Sequence, residues 1–242
     1  GSVSHAGMAP GAHLYMQSVQ CGGSGGGLYQ PSGDCWGSDD DGIGGDWDVD
    51  CYDGIFQPAY TFGARVHSNS WGTGPDETDE CPLPGSYCPN YYGNQALAID
   101  YSAHNLNDMT ILFAMGNDGS DGNADGEINL AYMNRQATAK NILSIGASEN
   151  DVGTNYRWGP SLSFPTDPIA NDKTANKPDG MAAFSNRGPT NDGRIKPDLV
   201  APGTVIVSHR GDQVDGDCVT PPDSSTGGGA LEGYCVNQGT SM

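Results

Sequence analysis

The stretch GNQALAIDYSAHNLNDMTILFAMGNDG, residues 93–119, joins a helical pattern directly to a strand pattern. Over residues 93–107, larger apolar side chains such as Leu97 and Tyr101 recur at helical spacing, with small apolar residues beside them. Residues 109–115 then form an unbroken apolar run that stops at a glycine. Because such a run suits a parallel strand that is covered on both faces, this stretch predicts a helix and a strand of an α/β fold.

Other segments extend the pattern to a largely parallel central sheet flanked by helices. The further predicted elements are strands over residues 12–19, 64–72, 141–147 and around 204–207, and a short helix over residues 55–63. In open α/β sheets, ligands bind beyond the carboxyl ends of the strands. Two predicted strands end in Ser70-Trp71-Gly72 and Gly116-Asn117. Asn117 is therefore either a donor aimed into a cleft or a residue of a tight turn.

The composition excludes several classes of partner. The 242 residues carry 10 Lys and Arg against 30 Asp and Glu, for a net charge of −20. Nucleic acid and anionic membranes would be repelled by this charge, and no apolar stretch is long enough to span a bilayer. The 37 glycines and 16 prolines predict long loops around a single core. We therefore expect one domain, a monomer, over residues 1–242.

Seven cysteines indicate an exported protein. Six of them form three closely spaced pairs in loop-like sequence, namely 35/51, 81/88 and 218/235, and Cys21 is left over. Loop pairs of this kind are typical of disulfides in secreted proteins. The spacing does not fix the connectivity, so only secretion and disulfide bonding are predicted.

Six sequence blocks, taken together, resemble the subtilisin-like serine proteases, or subtilases. In chain order they are Gly7-Met8-Ala9-Pro10, Asn69-Ser70-Trp71-Gly72, Ala114 to Gly119, Phe184 to Pro189, Lys196 to Gly203, and Gly239-Thr240-Ser241-Met242. Each block is similar to a subtilase block, and the order is that of the family. The resemblance spans nearly the whole chain and implies a subtilisin-like α/β fold with a polypeptide as substrate.

The resemblance also implies roles for matched residues. Ser241 resembles the nucleophile, and Asn117 resembles the asparagine that donates to the oxyanion of the tetrahedral intermediate. Ser70, Trp71 and Gly72 resemble the edge that pairs with the substrate as an added strand. The wall of the primary specificity pocket corresponds to Ala114, Met115 and Gly116.

The aspartate and the histidine of the family's catalytic triad have no match. The family order is Asp, His, Ser, and none of the five histidines lies in the expected block. We therefore expect an internal segment of a secreted endopeptidase, incomplete at both ends and inactive by itself, because a serine without a base is a poor nucleophile. The alternative is a secreted, non-catalytic binding domain of the same fold.

Two acidic segments predict structural calcium. Asp121, Asn123, Asp125 and Glu127 lie in a D-x-N-x-D-G-x-I pattern that matches the start of a calcium loop. Asp46, Asp48 and Asp50 form a second alternating cluster. The alternative for both segments is a solvated acidic loop.

Overall fold

A four-stranded parallel sheet is the centre of the fold. The computed structural model describes residues 9, 11–17, 49–72, 90–153, 155–209 and 234–242. The sheet contains β1 (Val66–Asn69), β2 (Thr110–Ala114), β3 (Leu143–Ser148) and β4 (Leu199–Pro202), in the order β1-β2-β3-β4. All three neighbouring pairs are parallel. The α/β prediction is confirmed.

Two helices cover one face of this sheet. Helix α1 (Val49–Thr61) and helix α2 (Asn94–Asn105) share a core with β2. Phe113 of β2 is fully buried, and its ring lies edge-on to Phe56 of α1, with the centroids 6.4 Å apart. Burial of one such ring stabilises the fold by roughly 1.5–3 kcal/mol.

Helix α2 packs through its small residues. Ala96 and Ile99 are buried, whereas Leu97 and Tyr101 are 56% and 49% exposed. The helix predicted over residues 93–107 is confirmed, and it turns its alanines and Ile99 toward the core. Small side chains let the helix approach the sheet closely. The buried carboxylate of Asp100 adds a polar anchor, because it accepts hydrogen bonds from the backbone N–H groups of residues 140 and 141.

The remaining described chain forms long loops and one hairpin. Residues 149–198 pack Trp158, Phe164 and Phe184 into a second cluster against β3. They include a 3-10 turn at Ile169–Asn171, and another, Gln136–Thr138, precedes β3. Strands β5 (Ile206–His209) and β6 (Tyr234–Asn237) pair antiparallel and return the chain to the sheet.

The segment after β6 is held against the sheet by a contact between two glycines. The N–H of Gly239 donates to the carbonyl of Gly203, which follows β4, at 2.8 Å. A Cβ placed on Gly203 would lie 2.5 Å from Cβ of Ala147 and 2.7 Å from the carbonyl oxygen of Gly239. Only a glycine therefore fits at position 203.

Several predicted elements differ from the structure. The strand predicted over 12–19 was wrong where it is described, since residues 12–17 form no strand. The strand predicted around 204–207 is partly correct: β5 lies there, but the fourth parallel strand is Leu199–Pro202. Within the described helices, none is long and apolar enough to cross a membrane.

Some predictions fall outside the described residues. These are Asp46 and Asp48 of the acidic cluster, and five of the seven cysteines. The third member of the cluster, Asp50, lies in α1 and not in a loop. Cys51 lies in α1 and Cys235 lies on β6, so neither is in a loop.

Candidate active site

Three segments meet beyond the carboxyl ends of β1 and β2. Ser70 follows β1, Gly116 follows β2, and Thr240 and Ser241 follow β6. The Ser70 hydroxyl donates to the Ser241 carbonyl at 3.1 Å. The Gly116 N–H donates to Oγ1 of Thr240 at 3.1 Å. The loop that ends the chain is thus held at the sheet edge where α/β proteins bind ligands.

Thr240 orients the side chain of Asn117. Its backbone N–H donates to Oδ1 of Asn117 at 2.8 Å, and its hydroxyl lies 3.1 Å from the same oxygen. Because Oδ1 is occupied, the Nδ2 group is the part of the carboxamide that can donate to a ligand. The side chain of Asn117 is exposed at the surface.

Asn117 and Ser241 lie close together, although they are 124 positions apart in sequence. A Cβ placed on Gly239 would lie 3.5 Å from Nδ2 of Asn117, and 3.7 Å from both Oδ1 of Asn117 and the backbone N of Ser241. The Asn117 carboxamide and the backbone N of Ser241 therefore border the same small volume beside Gly239. N–H donors that point into such a volume can stabilise a negatively charged oxygen.

The match to a family model covers nearly the whole chain. The model is described as the subtilase family of S8 peptidases, and it matches residues 2–242. The chain belongs to the subtilase family. It resembles two serine protease/ABC transporter B family proteins of Dictyostelium discoideum, tagB (28% identical over 205 residues) and tagD (27% over 208). Each alignment covers 66% of this chain and only 10% of the relative.

Solved structures with a similar fold include a maturation protease and a macrocyclase. The prenylagaramide maturation protease PagA is 19% identical, with a TM-score of 0.38, over 80% of this chain and 43% of that one. The PatG macrocyclase in complex with peptide is 14% identical, with a TM-score of 0.41, over 81% and 38% of the two chains.

The two segments predicted to bind substrate in this subtilase lie on either side of Asn134. A Cβ on Gly72 would lie 2.4 Å from Nδ2 of Asn134, and a Cβ on Gly116 would lie 2.9 Å from its Oδ1. Nδ2 of Asn134 also donates to the carbonyl of Ala114 at 3.3 Å. The buried Asn134 carboxamide thus fills the space between the two segments, a role that sequence reasoning missed.

The side chains of the two predicted substrate-binding segments differ in their exposure to solvent. Trp71 is half-buried and packs edge-on against Phe113, with ring centroids 5.3 Å apart. The side chain of Met115 is fully buried in a cluster with Met133 and Ala137. Met115 therefore shapes the site from beneath the surface and does not line it.

A cavity of about 340 Å³ lies next to Ser241. It is lined by the ends of β1 and β2, by β4 and by Thr240, Ser241 and Met242. Asn69 lines it too, and its buried Oδ1 has no hydrogen-bond partner among the described residues. The lining is mostly apolar, and the Asn69 oxygen is a hydrogen-bond acceptor without a donor.

His67 lies on β1 but does not act on Ser241. Its Nε2 contacts Oε1 of Gln17 at 3.1 Å, and its ring lies edge-on to Phe56. Burial lowers the pKa of His67. Across the described residues, no histidine is hydrogen-bonded to Ser241.

The predicted calcium loop forms a compact turn. The buried carboxylate of Asp121 accepts the N–H of Asp125 at 2.9 Å and that of Gly126 at 3.1 Å. Asn123 donates to Asp125 at 2.7 Å, and the N–H of Glu127 donates to the same carboxylate at 2.9 Å. In the part of the chain that is described, no three His, Cys, Asp or Glu side chains converge to hold a metal. The turn supplies only part of a calcium ligand set, and calcium binding stays a prediction.

Proposed function

We propose that this chain is the nucleophile-bearing segment of a serine endopeptidase. Ser241 Oγ would give its proton to a general base, proposed to be a histidine from outside these 242 residues, and attack the peptide carbonyl carbon. The resulting oxyanion would accept bonds from Nδ2 of Asn117 and the N–H of Ser241. The amine would leave with a proton from the general acid, and water would then hydrolyse the acyl-enzyme. The observation that supports the proposal is the closeness of the Asn117 carboxamide and the backbone N of Ser241, which both border Gly239. Both Dictyostelium relatives are named as serine protease/ABC transporter proteins.

The substrate would be an extended polypeptide. Backbone groups of Ser70, Trp71 and Gly72 continue from β1 and would pair with the peptide as an added strand. Such pairing recognises main chain more than side chains, so sequence tolerance is expected at most positions. The side chain next to the cleaved bond would face the space that Asn134 narrows.

The catalytic aspartate and histidine are proposed to come from chain outside these 242 residues. In a serine protease of this family, loss of the histidine costs about 10⁶ in turnover. The 242-residue chain alone should therefore hydrolyse nothing measurable. This part of the proposal rests on the absence of the family's histidine block from the sequence.

A fluorophosphonate probe tests the proposed function. Full-length protein should be labelled at Ser241, and Ser241→Ala should abolish labelling. Ser163→Ala, which changes an exposed serine, should leave labelling intact, and the isolated 242-residue chain should label at least 10³-fold more slowly. A folded full-length protein that is never labelled would favour the non-catalytic binding domain.

Secretion, disulfide bonds and a monomeric state belong to the same proposal. The three cysteine pairs support secretion and disulfide bonding. Alkylation before and after reduction, followed by mass spectrometry of the purified protein, should reveal six protected cysteines. Thiols that alkylate fully without reductant would contradict the disulfide proposal.

A further inference from the structure

The loop that carries Asn117 leaves the sheet and is held from behind by Asn186. After Met115, the backbone of residues 116–119 makes no strand pairing. Asn186 comes from the F-S-N-R-G block 68 positions later and is only 1% exposed. It therefore contacts the loop and no substrate.

Asn186 forms hydrogen bonds with the residues that precede and follow Asn117 in the chain. Its Oδ1 accepts the N–H of Asp118 at 2.8 Å. Its Nδ2 donates to the carbonyl of Met115 at 3.2 Å and to a carboxylate oxygen of Asp118 at 3.2 Å. Its backbone N–H donates to the carbonyl of Gly116 at 3.1 Å. One residue thus satisfies polar groups directly before and directly after Asn117.

The support for Asn186 is itself rigid. The hydroxyl of neighbouring Ser185 accepts the N–H of Ala147 in β3 at 3.0 Å. On the other side, Arg187 exchanges backbone hydrogen bonds with Tyr132 at 3.0 and 3.1 Å. A side chain held on both flanks can fix a functional group to within a fraction of an ångström, which oxyanion stabilisation requires.

We infer that Asn186 is a positioning residue for the oxyanion donor: it sets the backbone on which the Asn117 carboxamide is presented. The inference rests on the proposed function. Asn186 acts through Asn117, since it contacts residues 115, 116 and 118 and is itself buried. Its contribution is therefore made in the transition state, where the oxyanion forms, and not in substrate binding.

Kinetics of the full-length protein test this inference. Asn186→Ala should lower kcat by about 10-fold or more and leave KM within twofold, because an interaction made only in the transition state changes kcat. In an Asn117→Ala background, the same substitution should lower kcat by less than twofold. Gln95→Leu removes a buried side-chain hydrogen bond to Gln136, which involves no residue of the loop, and should leave kcat unchanged in both backgrounds.

Two results would overturn the inference. One is an equal loss of kcat with and without Asn117, because independent sites give additive effects. The other is a loss that appears in KM alone. Asn186→Asp keeps the acceptor for the N–H of Asp118 but loses the donors, so it gives a second variant if the alanine protein is unstable; its kcat should also fall.

Amide hydrogen exchange separates this inference from the proposed function. In Asn186→Ala, exchange at Asp118 should accelerate at least 10-fold relative to Phe113 of β2, whether or not the protein cleaves peptides. Unchanged exchange at Asp118 would refute the positioning role. A wild-type protein that cleaves nothing would instead refute the proposed function.

Discussion

Thr240 holds Oδ1 of Asn117 with two groups, its backbone N–H at 2.8 Å and its hydroxyl at 3.1 Å. The same hydroxyl oxygen accepts the N–H of Gly116 at 3.1 Å. The orientation of the proposed oxyanion donor is therefore coupled to the residue directly before Ser241. Movement of the loop that carries Thr240 and Ser241 would therefore rotate the carboxamide of Asn117.

Removal of the Thr240 hydroxyl should slow turnover. Thr240→Val keeps the backbone N–H but loses a net hydrogen bond worth about 1 kcal/mol, so we expect a roughly fivefold lower kcat in the full-length enzyme. Thr240→Ser retains the hydroxyl and serves as the control. Equal kcat values for the valine and serine variants would show that the hydroxyl does not orient Asn117.

Widening the space around Asn134 should change side-chain preference. Asn134→Gly removes the carboxamide between Gly72 and Gly116, and should raise kcat/KM for peptides with a large apolar residue before the cleaved bond by about 10-fold. Asn134→Gln lengthens the side chain and should shift the preference toward small residues. The measurement is a matched peptide series, and the same ranking in all three proteins would refute the role.

A methyl group at Gly116 should be tolerated much worse than one at Gly193. Both glycines have positive φ, +105° and +86°, so alanine strains the backbone at either position by about 1–2 kcal/mol. At Gly116, the added Cβ would also lie 2.2 Å from Nδ2 of Asn186, whereas nothing lies within 4 Å at Gly193. Denaturant unfolding should show Gly116→Ala to be less stable than Gly193→Ala by more than 1 kcal/mol. Equal losses would contradict the close contact.

Stability should fall as the pH drops below the ordinary titration range of histidine. Burial lowers the pKa of His67 from its reference value of 6.5, so the unfolded chain binds the proton more tightly than the folded one. The stabilisation is complete above pH 6.5 and is lost as the pH falls through the folded-state pKa. We expect the difference in melting temperature between wild type and His67→Gln to become smaller as the pH falls from 8 to 5. His104→Gln, an exposed control, should follow wild type, and a His67→Gln protein with the wild-type pH profile would contradict the assignment.

Calcium should raise the melting temperature if the turn at Asp121 binds it. A ligand at 100 times its dissociation constant stabilises the native state by about 2.7 kcal/mol. Asp125→Asn preserves hydrogen-bonding oxygen but loses the charge, and should remove the calcium-dependent shift. Asp179→Asn changes an exposed carboxylate elsewhere and should keep it. Equal melting temperatures of the wild-type protein in calcium and in chelator would contradict this prediction.

Secondary structure was predicted correctly where the residues of a single segment indicate it by themselves. The apolar run at residues 109–115 predicted β2 because such a run suits a parallel strand covered on both faces. Strand β4 was missed because Leu199 and Val200 are half-exposed and lie between prolines. Its strand conformation depends on hydrogen bonds to β3, which local sequence does not encode.

The residues around Asn117 illustrate the same limit. Asn117 and Ser241 were predicted because each lies in a short block that resembles a family motif. Asn134 and Asn186 were missed because their roles arise from contacts between distant segments, and an asparagine in a loop is typical of turns. The position of Asn186 inside the F-S-N-R-G block was the only available signal.

The contact between Gly203 and Gly239 bears on how the proposed protease could be redesigned. The height of the Ser241 loop above the sheet is set by main-chain atoms packed against Ala147. Randomised libraries at positions 71 and 134 can therefore vary the proposed substrate-binding surface without displacing the Ser241 hydroxyl. Any library that includes position 203 would yield mostly misassembled proteins.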